Sequence, residues 1–138
     1  MTAAFLQINW LAVLAAVAAN FIFGGIWFMA LFGRQYAQAL GIADRPPQKP
    51  RPIFLIGPLL CGALTIVTTA LLLRALAITD YAGALTLGAV VGLGYLGAMT
   101  MNIAINPLFP RPFHYAMVNV PMFLIGSLMT CVILVALP

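Results

Sequence analysis

Charged side chains are scarce in this sequence. Lysine, arginine, aspartate and glutamate together make up 6% of its 138 residues, whereas hydrophobic residues make up 64%. A water-soluble domain of this composition would have too few polar groups to cover its surface. The scarcity of charge therefore excludes a soluble globular protein and indicates an integral membrane protein that is surrounded by a lipid bilayer.

Acidic and metal-binding side chains are rarer still. The two aspartates, Asp44 and Asp80, lie outside the long apolar runs, whereas proton-coupled carriers generally use an acidic residue within a span. The one histidine, His114, cannot supply both axial ligands of a haem. The sequence contains no metal-ligand spacing and no serine-nucleophile motif. We therefore expect no enzyme activity, no cofactor and no metal site.

The two cysteines give no sign of a disulfide. Cys61 and Cys131 lie in apolar runs, ~12 Å and ~25 Å from the inner ends of their predicted helices at about 1.5 Å per residue. Groups at such different depths are too far apart to be bridged within one chain. We expect both cysteines to act as small packing residues.

Four apolar stretches are long enough to cross a bilayer, which requires ~20 residues of helix. Gly33 suits the left-handed cap position after the first stretch, and Pro107 stops the third because the residue before a proline disfavours helix. Four prolines within residues 43–52 predict an extended cytoplasmic linker. The sequence thus predicts an all-α membrane protein, a four-transmembrane-helix bundle in one domain, with spans at about 8–32, 53–78, 83–106 and 114–137.

The basic residues are distributed unequally between the two sides of this predicted bundle. Only Arg74 flanks one side, whereas the others lie in the first and third connections, which share the opposite side. Because cytoplasmic connections carry the excess of lysine and arginine, both termini are predicted on the outer (periplasmic) side of the membrane. The positive charge is then expected to attract anionic lipid and not nucleic acid. The residues of the basic side are Arg34, Arg45, Lys49, Arg51 and Arg111.

Small and polar residues recur at helical spacing along each predicted span. In lipid, such residues decide which helix faces pack together, so we expect the bundle core where these seams converge. The residues that we expect to carry helix packing are Gly24 and Trp27 on the first span and the one G-x-x-x-G match, Gly88 to Gly92, on the third. The complete seams are Asn9, Val13, Ala16, Asn20, Gly24 and Trp27; Gly57, Cys61, Thr65 and Thr68; Gly88, Gly92, Tyr95, Met99, Asn102 and Asn106; and Asn119, Phe123, Ser127 and Thr130.

Two groups of polar residues are candidate sites. Asn20 lies near the middle of the first span, where its amide either bonds to a neighbouring helix or lines a solute path. The second group lies within about two helical turns of the inner surface. It either binds a headgroup or anion, with Arg34 and Arg111 as anionic-lipid contacts, or satisfies backbone groups around Pro107. This inner cluster comprises Asn102, Asn106, His114 and Asn119, with Arg34 and Arg111 at the same level.

The two inner connections contain related motifs. Leu-Phe-Gly-Arg-Gln-Tyr-Ala at residues 31–37 is echoed by Leu-Phe-Pro-Arg-Pro-Phe-His-Tyr-Ala at residues 108–116. Both motifs follow a span that runs from the outer to the inner side. The two helix hairpins are therefore either a duplication or share only the aromatic residues and arginine that inner interfaces favour.

Four segments of the chain resemble an uncharacterised bacterial membrane family known as domain of unknown function 1761. In place of the Tyr-Ser-Pro-like step and the second tryptophan that are frequent in this family, the chain has Phe28-Met29-Ala30 and Tyr36. The resemblance implies a four-span inner-membrane protein and brings no activity and no site residues. The segments that carry it are Asn9-Trp10-Leu11-Ala12-Val13, Gly24-Gly25-Ile26-Trp27-Phe28, Leu31-Phe32-Gly33-Arg34 and Leu40-Gly41-Ile42, with a fainter return around Asn102 and Phe109.

These observations lead to two functional hypotheses. In the first, the protein is a small non-catalytic membrane protein that acts through helix–helix contacts, either with itself as a homo-oligomer or as an accessory subunit of a larger membrane complex. In the alternative, it is a small-solute, ion or lipid transporter or channel that uses the polar seam around Asn20 and the inner cluster.

Overall fold

The computed structural model describes residues 2–46, 49 and 51–137 of the chain. The predicted extended linker therefore lies partly outside the described residues, at Pro47, Gln48 and Pro50. The described helices are α1 (Thr2–Leu6), α2 (Trp10–Gly25), α3 (Gly33–Ala39), α4 (Ile53–Ala75), α5 (Tyr81–Ala89), α6 (Ala98–Ala104) and α7 (Pro112–Ala136), with π-helical segments at Ile26–Leu31 and Val90–Gly97.

Four continuous helical stretches, two of which combine several of these elements, are long and apolar enough to cross a membrane. The first span, Trp10–Leu31, joins α2 to the first π-helical segment, and the third, Tyr81–Ala104, joins α5, the second π-helical segment and α6. Helix α4 is the second span and α7 the fourth. The described residues form no strand. The predicted all-helical class with four candidate spans is thus confirmed.

Side chains cap the first turns of two spans. Asn9 precedes the first span, and its Oδ1 accepts hydrogen bonds from the backbone N–H groups of Leu11 and Ala12, at 3.0 and 3.3 Å. Asp80 precedes the third span, and its carboxylate accepts from the backbone N–H of Gly83 at 2.8 Å. These oxygens satisfy N–H groups that have no partner within the helix, and so they set where the two spans begin.

The fourth span is the centre of the bundle. It packs along the whole third span and also contacts the first span, the second span and α3. The second span packs mainly against the first span, and a groove separates it from the third. The start of the first span and the ends of the second and fourth spans lie at one end of the bundle, which we call the termini end. Arg34 and Arg111 lie at the other end, the basic end.

Three glycines of the third span bring its backbone close to the fourth. A Cβ atom on Gly92 would lie 2.9 Å from the Cα atom of Leu124, and one on Gly88 would lie 3.0 Å from the Cα atom of Leu128. On Gly97, it would lie 3.1 Å from a methyl carbon of Val120. Because only glycine leaves this space free, the two helices meet at a distance that larger residues would forbid.

The second π-helical segment changes which face of the third span is buried. After Gly92, the predicted seam continues through Tyr95, Met99 and Asn102, but all three side chains are exposed. The buried face continues instead through Gly97, Thr100 and Ala104. A π-turn pairs residue i with i+5 and so contains one residue more than an α-turn, which rotates the following face. The predicted seam is therefore wrong after Gly92.

Gly33 has a different role from the predicted one. It begins α3 and does not have the left-handed backbone of a helix cap; among the described glycines, only Gly41, with a φ of 68°, has that conformation. A Cβ atom on Gly33 would lie 2.6 Å from the carbonyl oxygen of Phe28. Glycine is thus required by the close approach of α3 to the end of the first span.

Candidate functional site

Asn20 connects the first and fourth spans. Its amide nitrogen donates to Thr130 Oγ1 at 2.8 Å and to the carbonyl oxygen of Ala16 at 3.0 Å. Its Oδ1 fills the space opposite Gly126, where an added Cβ atom would lie 2.7 Å away. An interhelical hydrogen bond of this kind stabilises a membrane bundle by ~0.6–2 kcal/mol. Both hydrogens of the Asn20 amide therefore form hydrogen bonds, and the side chain contributes to packing between the two spans.

Trp27 makes a second polar link between the same two spans. Its indole Nε1–H donates to the carbonyl oxygen of Val118 at 3.0 Å, and the side chain is 8% exposed. Val118 lies three residues before Pro121 and directly after Met117, whose carbonyl is the one that loses its helical N–H partner to the proline. The bond from Trp27 is therefore additional to the helical hydrogen bonding of the fourth span. Trp27 thus fixes the first span to the proline-containing turn of the fourth.

The asparagines of the inner cluster form hydrogen bonds within their own segments. Asn119 is buried and donates to the carbonyl oxygen of Tyr115 at 2.8 Å, within its own helix. Asn106 donates to the carbonyl oxygen of Ile103 at 2.6 Å and accepts from the backbone N–H of Leu108 at 2.8 Å. Asn102 is exposed and His114 is half-buried. The two buried or half-buried asparagines therefore stabilise their own backbone segments.

Arg34 and Arg111, the predicted anionic-lipid contacts, are both exposed. Arg34 lies in the first turn of α3, and Arg111 immediately precedes the fourth span. Among the described residues, neither forms an ion pair with an acidic side chain. Both remain available to lipid headgroups at the basic end.

Aromatic side chains hold the basic end together in a way that helical spacing does not predict. Phe28 contacts Tyr36, Tyr36 contacts Tyr115, and Tyr115 contacts Phe109, with ring centroids 4.9, 5.8 and 4.8 Å apart. Burial, and secondarily the neighbouring phenol of Tyr115, raises the pKa of Tyr36 to about 12. Tyr36 is therefore neutral at physiological pH, which suits an apolar packing role. The related motifs at 31–37 and 108–116 are the only sequence signal that pairs Tyr36 with Tyr115.

The second span leaves much of its surface uncovered. Its buried residues, Ile66, Thr69, Ala70 and Leu73, all lie in the half nearer the termini end. In the other half, Leu60 and Leu64 are exposed, and a Cβ atom on Gly57 or Gly62 would have no neighbour within 4 Å. The predicted seam of Gly57, Cys61, Thr65 and Thr68 is therefore not in the bundle core, because the helix turns a neighbouring face toward the first span.

The uncovered face continues into the groove between the second and third spans. The groove has a volume of about 490 Å³ and is lined by Leu64, Thr65, Thr68, Thr69, Leu72, Val91, Tyr95 and Leu96. The three threonine hydroxyls donate to backbone carbonyl oxygens four residues earlier on the same helix, at 2.9 to 3.0 Å. These donors are thus already satisfied, and the groove presents a largely apolar surface at membrane depth.

Groups that bind metals or react as nucleophiles are sparse among the described residues. No group of three or more histidine, cysteine, aspartate or glutamate residues could hold a metal ion in this part of the chain. Cys61 is free and exposed, whereas Cys131 is free and fully buried. Cys61 is therefore accessible to a neighbouring molecule, whereas Cys131 is enclosed by the bundle.

Comparison with known proteins gives one match. The model of the family described as protein of unknown function (DUF1761) matches residues 11–135, which is nearly the whole chain. Neither the curated proteins nor the solved structures yielded a significant match.

Proposed function

Since the chain belongs to the DUF1761 family of unknown function and has four helices that are apolar enough to cross a membrane, we propose that it is a non-catalytic multi-pass protein of the bacterial inner membrane. We propose further that it acts through helix–helix contacts, first with a second copy of itself, or as an accessory subunit of a larger membrane complex. The uncovered face of the second span is the observation that carries this proposal.

Two properties of that face support a helix as its partner. Small residues line it at Gly57, Cys61 and Thr65, and small residues allow helix backbones to approach closely in lipid, where apolar area alone does not drive association. The adjoining groove offers space for larger side chains from the approaching helix. By contrast, Gly88, Gly92 and Gly97 of the third span already pack against the fourth.

Symmetry makes contact between two copies easy to test. Two copies in one membrane share the same orientation, so a two-fold axis along the membrane normal brings each residue of the second span near its counterpart at the same depth. Cys61 would then lie across from the other Cys61. A disulfide requires Cα atoms within about 7 Å, which tightly packed helices provide.

We therefore predict that mild oxidation of native membranes gives a covalent dimer through Cys61. The dimer band should disappear in Cys61→Ser and under reducing conditions, and should persist in Cys131→Ser because Cys131 is enclosed by its own bundle. The dimer is measured by non-reducing electrophoresis. The same measurement is made on variants that lack both native cysteines and carry one new cysteine, at Gly57, Thr65 or Thr68.

Cysteines at Leu93 and Met99, which are exposed on the third span, are the matched controls for random collision. If these two positions form dimers as readily as the second-span positions, the second span is not the contact surface. Cross-links from the second span to a different membrane protein would instead support the accessory-subunit form of the proposal.

We also propose that the basic end faces the cytoplasm, so that both termini are periplasmic. The excess of lysine and arginine in the first and third connections supports this orientation. Alkaline phosphatase fused after the last residue should accordingly be active, whereas the same enzyme inserted after Ile42 should be inactive. The reverse pattern would refute the orientation without affecting the helix contacts.

A further inference from the structure

A small pocket lies at the termini end of the bundle, far from the uncovered face of the second span. It has a volume of about 50 Å³. Its polar lining comes from Asn9, Arg74 and Thr79, and its apolar lining includes Ile8, Leu73 and Leu134. A water molecule needs about 10–15 Å³ of such space, so the pocket holds a few waters or a polar group of similar size.

Arg74 is the one cation at this end among the described residues, and its side chain is half-buried. Among those residues, no carboxylate forms an ion pair with it. Asp80, the nearest acidic residue in sequence, uses its carboxylate to cap the third span through the backbone N–H of Gly83. A guanidinium that is partly removed from water without a counter-charge pays a desolvation cost that an anion would offset.

The carbonyl groups at the helix ends around the pocket stabilise the Arg74 guanidinium less than an anion would. The second and fourth spans both terminate here, and their last carbonyl groups favour a nearby cation by ~0.3–1 kcal/mol each. A charge-assisted hydrogen bond between guanidinium and an oxyanion is worth about 1.5–3 kcal/mol, and the planar guanidinium can make two. The carbonyl groups thus favour the arginine and oppose a bound anion by a similar amount. The hydrogen bonds from the guanidinium are the larger contribution, and they offset that opposition.

The backbone after Arg74 brings Thr79 back to the same pocket. Ala77 has a φ of 53°, in the left-handed region that favours glycine, and it is the one described non-glycine residue there. The backbone N–H of Ile78 returns to the carbonyl oxygen of Leu73 at 3.0 Å. A non-glycine residue in this conformation costs about 1 kcal/mol or more. Together with the bond from the Ala77 N–H to the carbonyl oxygen of Arg74 at 3.2 Å, the bond from Ile78 forms the Schellman end of α4. The turn leaves Thr79 in the pocket lining beside Arg74.

We propose that this pocket binds a phosphate-type oxyanion, carried by the headgroup of a membrane phospholipid, with Arg74 as its principal contact and Thr79 as a second donor. Arginine matches phosphate geometry through its fork of N–H groups. The apolar side of the pocket, formed by Ile8, Leu73 and Leu134, belongs to the buried core. Only the phosphate group would therefore enter the pocket, and the glycerol and acyl parts of a lipid would remain outside it. Free inorganic phosphate carries the same chemistry and is the other source. This inference is independent of the proposed helix contacts.

The test is calorimetric titration of the full-length protein in an uncharged detergent. The probes are short-chain phosphatidylglycerol, inorganic phosphate and a short-chain diacylglycerol that lacks the phosphate. We expect phosphatidylglycerol to bind, and Arg74→Gln to raise its Kd by about tenfold or more, which corresponds to the loss of roughly one charge-assisted hydrogen bond. Arg74→Lys should retain part of the affinity because it keeps the charge but not the fork.

Arg34→Gln is the matched control, because it removes an exposed arginine at the opposite end of the bundle. It should leave the Kd unchanged. Equal binding of phosphatidylglycerol by Arg74→Gln and the native chain, or equal binding of diacylglycerol and phosphatidylglycerol, would overturn the proposal. If inorganic phosphate binds as tightly as the lipid and also depends on Arg74, the oxyanion site stands and a free anion is its source. If Arg74→Gln does not fold, the Kd of phosphatidylglycerol is measured for Thr79→Val and Arg74→Lys instead. An unchanged Kd in both variants would overturn the proposed site.

Discussion

Replacing Gly92 with alanine is expected to destabilise the protein by about 1–3 kcal/mol, the usual cost of overpacking a close contact. The new Cβ atom would lie 2.9 Å from the Cα atom of Leu124, a backbone atom that cannot rotate away. The third and fourth spans would have to separate, which also weakens the neighbouring contacts of Gly88 and Gly97. The measurement is the free energy of unfolding in mixed micelles, or the melting temperature in one fixed detergent.

Gly94 supplies the control for this substitution. It lies two residues further along the same π-helical segment, and an added Cβ atom there would meet nothing within 4 Å. Because alanine favours helix over glycine by roughly 0.5–1 kcal/mol, Gly94→Ala should be neutral or slightly stabilising. The difference between the two variants isolates the helix–helix contact. Equal stability of Gly92→Ala and Gly94→Ala would show that the third and fourth spans do not pack through this face.

The elements that sequence could predict are those that depend on local chemistry. Long apolar runs reveal four candidate spans, because each needs a bilayer's length of hydrophobic helix. The Gly88–Gly92 spacing locates a smooth helix face without any knowledge of its partner. Asn20 is a mid-span amide and Trp27 lies on the same predicted helix face, and in the structure both side chains donate hydrogen bonds to the fourth span.

The rest depends on features that a regular helical period does not contain. The π-helical turn after Ala89 rotates the third span, so Tyr95 and Asn102 leave the face on which α-helical spacing puts them. The inner cluster stays a prediction, because proximity to one end of the bundle does not fix the direction in which a side chain points. Asn106 and Asn119 find hydrogen-bond partners in their own segments before they can meet each other.

The pairing of Tyr36 with Tyr115 shows the other limit of sequence reading. The two residues are brought together by α3, which folds back from the first span onto the fourth. That return depends on Gly33, whose missing side chain lets α3 approach Phe28. No spacing rule links residues so far apart in the chain. The related motifs at 31–37 and 108–116 single out both tyrosines, but they do not predict that the two rings touch.

Trp27 is expected to be the single side chain on which the join between the first and fourth spans depends most. Trp27→Ala should cost about 3–5 kcal/mol, because it leaves a large void beside Phe23 and Phe32 and removes the hydrogen bond to Val118. Trp27→Phe keeps most of the ring volume and removes the indole N–H, so it should cost about 1–3 kcal/mol. Both values come from the same unfolding measurement as for Gly92.

The second tryptophan makes this experiment self-controlled. Trp10 is 48% exposed at the termini end and contacts Phe5, with ring centroids 5.6 Å apart. Trp10→Phe should therefore change the free energy of unfolding by less than about 0.5 kcal/mol, as for most exposed positions. The chain has two tryptophans, so each variant also reports the fluorescence of the other, and Trp27 should emit at the shorter wavelength because it is buried. A Trp27→Phe variant as stable as Trp10→Phe would mean that the hydrogen bond to the Val118 carbonyl adds no measurable stability and that ring packing alone joins the two spans at this point.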